Sequence, residues 1–216
     1  MNIFEKNQYN KKEERVPKIV LTGGPCGGKT TALNYLGKRL KDFGFRCALV
    51  PEVGSIIIQA ALLPNVIHPL GYKPFEKAYI KTQIFWEELF EKMISEVNGD
   101  KKIIICDRGI TDIAAYMSQK DFKKIIKSHG LDSRKLRDRN YNLVIHLVTA
   151  ADGAEKFYNF DNLARYETTE EAREIDKKIL KVWQGHPNLK VVDNSTDFEQ
   201  KMEKVLNIVC DTLGIS

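Results

Sequence analysis

Gly23-Gly24-Pro25-Cys26-Gly27-Gly28-Lys29-Thr30 sets glycines, a lysine and a hydroxyl at the spacing G-x-x-x-x-G-K-[ST]. Glycines let the backbone curl until its N–H groups converge on an anion. A helix starting beneath them adds partial positive charge. In such a loop the lysine reaches β- and γ-phosphates and the hydroxyl holds Mg²⁺, which assigns those tasks to Lys29 and Thr30. Gly23, Gly24, Pro25, Cys26, Gly27, Gly28 and Thr31 complete the expected cradle. The competing reading is a glycine-rich turn that binds nothing, and the flanks argue against it. Lys18-Ile19-Val20-Leu21-Thr22 reads as a short buried strand, and Thr30 to Leu36 reads as the first turns of a helix. Strand, glycine loop and helix form the context of a phosphate-binding P-loop.

Two acids close other strand-like runs. Ile103-Ile104-Ile105-Cys106 leads into Asp107-Arg108-Gly109, and Val50-Pro51 leads into Glu52. Ligands of open α/β sheets sit outside the carboxyl ends of the strands, so Glu52 and Asp107 are expected to share one cleft. There one carboxylate serves the Mg²⁺ shell and the other takes the proton of an attacking hydroxyl; the sequence leaves open which does which. Asp107 is a candidate metal ligand with Thr30, and Arg108 is a candidate contact for a transferring phosphoryl group. Asp112 follows one turn later and is expected beside them. A surface Asp-Arg-Gly turn is the plainer alternative. Further along, Arg165 precedes a capped helix and Arg173 lies inside it. Guanidinium groups on a flap suit bidentate contacts to phosphate oxygens, although Arg173 has Glu170 and Asp176 within helical reach as ion-pair partners.

The elements that must position these groups alternate along the chain. Strands are expected at Ile19–Thr22, Arg46–Val50, Ile103–Cys106, Leu143–Val148 and Leu189–Val192, with helical patterns between them. That alternation predicts an α/β fold, a five-stranded parallel sheet covered on both faces in three layers. The longest helix is expected from about Pro74 to Val97. Phe75, Ala78, Tyr79, Thr82, Trp86, Leu89, Phe90, Met93 and Val97 form its predicted buried face. Thr168-x-x-Glu171 matches a capping box, with Ala172, Ile175, Ile179, Val182 and Trp183 as the buried stripe behind it. A last helix is expected from about Asp197 to Leu213.

Composition bounds the rest. The 216 residues, 43% hydrophobic and 29% charged, fit one globular domain over 17–216 with a mobile tail over 1–16. The start lacks the apolar centre of a secretory signal, no run approaches the length of a membrane span, and a cytoplasmic location is expected. Cys26, Cys47, Cys106 and Cys210 show neither metal-ligand nor disulfide spacing, which suggests reduced thiols. The net charge of +5 is modest. Its local concentration, Lys123, Lys124, Lys127, Arg134, Lys135, Arg137 and Arg139, is either a solvated helical face or a contact for an anionic lipid or protein partner. No aromatic-rich nucleic-acid motif accompanies it, and no nucleic-acid partner is expected.

Several of these runs resemble a known family. Gly23 to Thr31, Pro51-Glu52-Val53, Asp107-Arg108-Gly109, the stretch Val144 to Glu155, Asp161-Asn162 with Ala164-Arg165, Glu170-Glu171-Ala172-Arg173 and Asp193-Asn194-Ser195-Thr196 carry the resemblance. They are similar to the AAA-like P-loop domain shared by the nicotinamide-riboside kinase part of NadR and the TRPL translocation defect proteins. The Thr149-Ala150-Ala151-Asp152-Gly153 run favours the latter branch. The resemblance implies a nucleoside- or nucleotide-kinase-like sheet with an arginine-bearing lid. It also implies a loop after the last strand, with Asn194 and Ser195, near the nucleotide base.

Two functions follow as expectations. The first is a kinase that moves the γ-phosphoryl group of ATP or GTP, with Mg²⁺, to a hydroxyl of a small nucleoside-like acceptor. Lys29, Arg108, Arg165 and Arg173 would balance charge, and Glu52 or Asp107 would take the proton. The second is a nucleotide-controlled switch with slow hydrolysis that engages a protein or an anionic lipid. No Asn-Lys-x-Asp string for guanine is present, and the choice between ATP and GTP stays open.

Overall fold

Residues 15–60, 72–158 and 168–215 are described by the computed structural model. In chain order its elements are β1 (Lys18–Thr22), α1 (Lys29–Asp42), β2 (Arg46–Val50), α2 (Val53–Ala60), α3 (Tyr72–Ser95) and β3 (Lys102–Asp107). A 3-10 helix (Ile110–Ala115), α4 (Gln119–Ser128), α5 (Ser133–Arg139) and β4 (Leu143–Leu147) follow. A short 3-10 turn (Glu155–Phe157), α6 (Thr169–Trp183), β5 (Leu189–Val192) and α7 (Phe198–Leu213) complete the described chain.

The strands form one parallel sheet in the order β2-β3-β1-β4-β5. β1 is central, and all five of its residues are buried. This is why Ile19-Val20-Leu21 reads as a continuous apolar run rather than an alternating one. Side chains alternate between two cores. Ile19, Leu21, Ile103, Ile105, Leu143 and Ile145 pack under α1 and α7, against Leu36, Leu40, Val205 and Val209. Val20, Ile104, Cys106 and Val144 pack on the other face against Ile94, Ile179 and Trp183 of α3 and α6. Helix, sheet and helix make the three layers that the alternating pattern predicts.

Local chemistry explains where the helices start. Thr168 Oγ1 accepts the Glu171 N–H at 3.2 Å while the Glu171 carboxylate accepts the Thr168 N–H at 2.8 Å, the reciprocal capping box read in the sequence. Asp197 caps α7 by accepting the Gln200 N–H at 2.8 Å. Residues 1–14 of the expected tail lie outside the described residues, and Val16 packs against the second core.

One expectation is corrected. The face of α3 predicted as buried includes Leu89, Met93 and Val97, yet these are 38%, 55% and 42% exposed. The helix turns a different stripe inward, with Tyr79, Ile80, Gln83, Glu87 and Ile94 buried. Glu87 is well partnered, accepting from Lys18 Nζ, Gln83 Nε2, Asn140 Nδ2 and the Tyr141 hydroxyl, while Gln83 Oε1 and the Tyr79 hydroxyl have no partner among the described residues. Apolar periodicity misjudged the face because it has no sign for a Gln or a Glu that is buried against hydrogen-bond partners on other elements.

Candidate active site

β1 ends at Thr22, and the chain turns at once into the glycine loop. Gly23 sits at φ +130°, and a Cβ there would lie 2.1 Å from the Leu147 carbonyl oxygen of β4, so only glycine fits. Cys26, half-buried, holds a left-handed φ of +54°. A second loop clasps the first from the end of β4. The Thr149 hydroxyl donates to the Pro25 carbonyl, and the Ala150 N–H donates to the Cys26 carbonyl at 3.2 Å. α1 then starts with no side-chain cap and no acid in its first turn. Its opening N–H groups, including those of Thr30 and Thr31, are left for an anion.

Lys29 folds back over the loop, and its Nζ donates to the Gly24 carbonyl at 2.7 Å. Burial, with the Arg108 charge adding to it, lowers its pKa to about 8. Thr30 Oγ1 donates to Asp107 Oδ2 at 3.0 Å, while Asp107 Oδ1 is buried without a hydrogen-bond partner among the described residues. Burial and the nearby Glu52 charge push the Asp107 carboxyl up, against the pull of Lys29 and Arg108. A hydroxyl beside a carboxylate with one idle oxygen is the hard-oxygen donor set that Mg²⁺ takes. No cluster of three or more His, Cys, Asp or Glu stands ready for a metal among the described residues. Mg²⁺ commonly completes its octahedron with waters and substrate phosphates, so two protein ligands fit it.

Arg108 joins the two strand-end acids to the loop. Its Nε donates to Glu52 Oε1 at 2.5 Å, and one Nη donates to the Gly23 carbonyl at 3.1 Å. Burial would raise the Glu52 pKa, but the Arg108 and Lys29 cations outweigh it and hold this carboxyl at about 2. The Arg108 backbone is itself left-handed at φ +71°, a conformation that non-glycine residues adopt mainly where surrounding contacts enforce it. Asp112 supplies those contacts. It accepts the Gly109 N–H at 2.7 Å, the Trp183 Nε1–H at 3.1 Å and the Thr22 hydroxyl. Fully buried, Asp112 braces the turn from behind.

The remaining expected residues fall in different places. Arg173 Nη1 donates to the Ala151 carbonyl at 2.5 Å, and Nη2 pairs with Glu170 at 2.9 Å. The helical pairing read as its alternative is therefore present, together with a bond to the clasping loop. Asn194 Nδ2 donates to the Thr149 and Asp152 carbonyls at 2.8 and 2.7 Å, and the Ser195 hydroxyl donates to Asp193 at 2.6 Å. Arg165 lies outside the described residues. Lys123, Lys124 and Lys127 sit on α4, and Arg134, Lys135, Arg137 and Arg139 on α5. The four cysteines form no disulfide, and no described helix is long and apolar enough to cross a membrane.

Three residues were not expected in these positions. Asp176 Oδ1 accepts the Gly24 N–H at 2.6 Å, and its Oδ2 lies 3.1 Å from Nε2 of the fully buried His146. Burial works against the Asp176 charge, but these hydrogen bonds prevail and lower its pKa. A carboxylate only accepts, so His146 Nε2 carries the proton. Lys201 is buried too, donating to the Val148 carbonyl at 3.0 Å and to Asn194 Oδ1 at 2.7 Å, and burial lowers its pKa to about 8. The only available signal was a charged residue recurring on an apolar helical stripe, at 176 in α6 and at 201 in α7.

A family model described as an AAA domain matches residues 18–201. The thymidylate kinase of Synechococcus sp. (strain JA-2-3B'a(2-13)) is 26% identical over 123 residues, which cover 57% of this chain and 55% of that relative. The chain thus matches about half the length of the relative. The family match runs from β1 into the first turn of α7, taking in the glycine loop, both strand-end acids and their arginine. The chain belongs to the AAA domain family.

Proposed function

We propose that the protein is a phosphotransferase that moves the γ-phosphoryl group of ATP or GTP to a small nucleoside-like acceptor. The observation that supports it best is the reach of Arg108, which bonds Glu52 of the β2 end and the Gly23 carbonyl of the glycine loop with one guanidinium. Acceptor-side acid and donor-side loop are therefore one side chain apart, as in-line transfer requires. The kinase-like relative agrees with this class of reaction.

In this reading the loop amides and Lys29 hold the β- and γ-phosphates, and Lys29 leaves the Gly24 carbonyl to do so. Thr30 and Asp107 hold Mg²⁺, which neutralises charge developing on the phosphates. Arg108 swings from Glu52 to the transferring oxygens. Glu52, freed of its cation, regains basicity and takes the proton from the acceptor hydroxyl as the new P–O bond forms and the bond from the γ-phosphorus to the bridging oxygen breaks, releasing the nucleoside diphosphate. Arg173 anchors α6 to the Thr149–Asp152 loop, and Arg165 is assigned to the phosphates by the sequence and its family resemblance alone. Asn194 and Ser195 border the base. The Thr149 to Gly153 run favours the translocation-defect branch over the NadR branch.

Phosphorus NMR of protein, Mg²⁺ and ATP or GTP, with pooled nucleosides and thymidylate, tests the reading. A new phosphoester signal growing in step with the nucleoside diphosphate, and absent with Lys29→Ala, is expected. Diphosphate and free phosphate alone, at one slow rate whatever acceptor is added, would overturn it in favour of the nucleotide-controlled switch.

A further inference from the structure

A basic groove lies beside the 3-10 helix that follows Arg108. The 3-10 helix Ile110–Ala115, α4, α5 and α6 enclose an open groove of about 1430 Å³. Eight of its lining residues are Lys or Arg and only two are acids, Asp132 and Asp138. Both acids are engaged: Asp132 accepts the Arg134 and Lys135 N–H groups that begin α5, and Asp138 pairs with Arg137 at 2.5 Å. Lys123 and Lys127 of α4, Arg134 and Arg139 of α5, and Lys178 and Lys181 of α6 are exposed, with no carboxylate partner among the described residues. Like charges gathered on three elements around one concavity repel one another, and the helices were free to place them elsewhere. The floor adds a second signal. Thr111 lines the groove and is buried, and its hydroxyl has no hydrogen-bond partner among the described residues.

The geometry points to a soluble, compact, multiply charged phosphate ester as the occupant, at a site separate from the glycine loop. Charges on facing walls converge on a ligand that enters the groove, whereas a planar bilayer meets only the rim. The sole aromatic in the lining, Phe122, is buried, so no platform exists on which nucleic-acid bases would stack. The ligand's phosphates pair with the lysines and arginines, and Arg134 and Arg139 supply bidentate contacts.

Inositol hexakisphosphate is the probe, titrated calorimetrically into the whole chain at low salt. Saturable binding is expected that survives Lys29→Ala and weakens at least tenfold in Lys178→Glu/Lys181→Glu. Both lysines are exposed, and a thermal melt checks that the variant is folded; Arg134→Glu/Arg139→Glu on α5 repeats the test from another wall. Loss of binding in Lys29→Ala would assign the probe to the glycine loop and overturn the proposal. So would binding indifferent to both charge reversals, or no binding at millimolar probe. Co-sedimentation with phosphatidylcholine vesicles containing one fifth anionic phospholipid, without binding of the soluble probe, would replace it with a membrane contact.

Discussion

Asp176 and Gly24 stand 152 residues apart in sequence, yet the Asp176 carboxylate accepts the Gly24 backbone N–H at 2.6 Å. Helix α6 thereby grips the first turn of the glycine loop. Asp176→Ala removes a charged hydrogen bond and also strands His146 Nε2–H in the interior. A loss of about 2–3 kcal/mol in unfolding free energy is expected, read by urea denaturation, with weaker nucleotide binding. Asp176→Asn keeps an acceptor and is expected to recover part of both.

The Glu52–Arg108 pair sets a second expectation. Glu52→Gln leaves a buried guanidinium without its counter-charge, at a cost of about 1–3 kcal/mol because Glu52 is partly open to solvent. Loss of the proposed proton acceptor is expected to lower turnover about 100-fold or more, measured at saturating acceptor. The folded-state pKa of Glu52, about 2, lies below its unfolded value. Its contribution to stability is therefore complete above about pH 4.5 and is lost as pH falls towards 2.

Asp107 has the opposite sign. Its folded pKa is raised, so ionisation at neutral pH disfavours the ligand-free fold. Asp107→Asn is expected to raise the melting temperature of the free protein while abolishing Mg²⁺-dependent turnover. An unchanged or lower melting temperature, read by calorimetry at pH 7, would count against the buried charge as a cost to stability.

Lys29 gives a prediction on the alkaline side. With a folded pKa of about 8 against roughly 10.4 unfolded, the unfolded chain binds more protons in that interval. Ligand-free stability therefore rises with pH through it. Lys201 has the same sign and a similar value, so Lys29→Met is expected to remove about half of the rise. Nucleotide phosphates stabilise the Lys29 cation, so binding near pH 9 takes up protons. Calorimetry in two buffers of different ionisation enthalpy measures that uptake.

What the sequence showed follows from which interactions are local. The glycine loop, the capping box at Thr168 and the strand runs are written in neighbouring residues, and all three appear where expected. The five strands come within about a residue of their read boundaries; β1, β3 and β4, buried along nearly their whole length, are the most continuously apolar. Glu52, Asp107 and Arg108 were legible because strand ends of a parallel sheet gather at one edge. Asp176, His146 and Lys201 were not, since each is a polar group whose partner lies on a different element. The inward face of α3 failed for the same reason, its Gln83 amide N–H and Glu87 carboxylate bonding to the Arg108 turn, β1 and the segment before β4.

The place of β1 at the centre of the sheet also matters while the chain is being made. Its neighbours are β3 and β4, both later in the chain, so β1 leaves the ribosome with neither of its final partners made. About 80 residues separate the end of β1 from the start of β3, roughly 4–16 s of synthesis. During that interval Ile19, Val20 and Leu21, all fully buried in the finished fold, form an apolar strand with two open edges. Chaperone capture of nascent chains is therefore expected to peak before residue 107 emerges and to fall once β3 has docked.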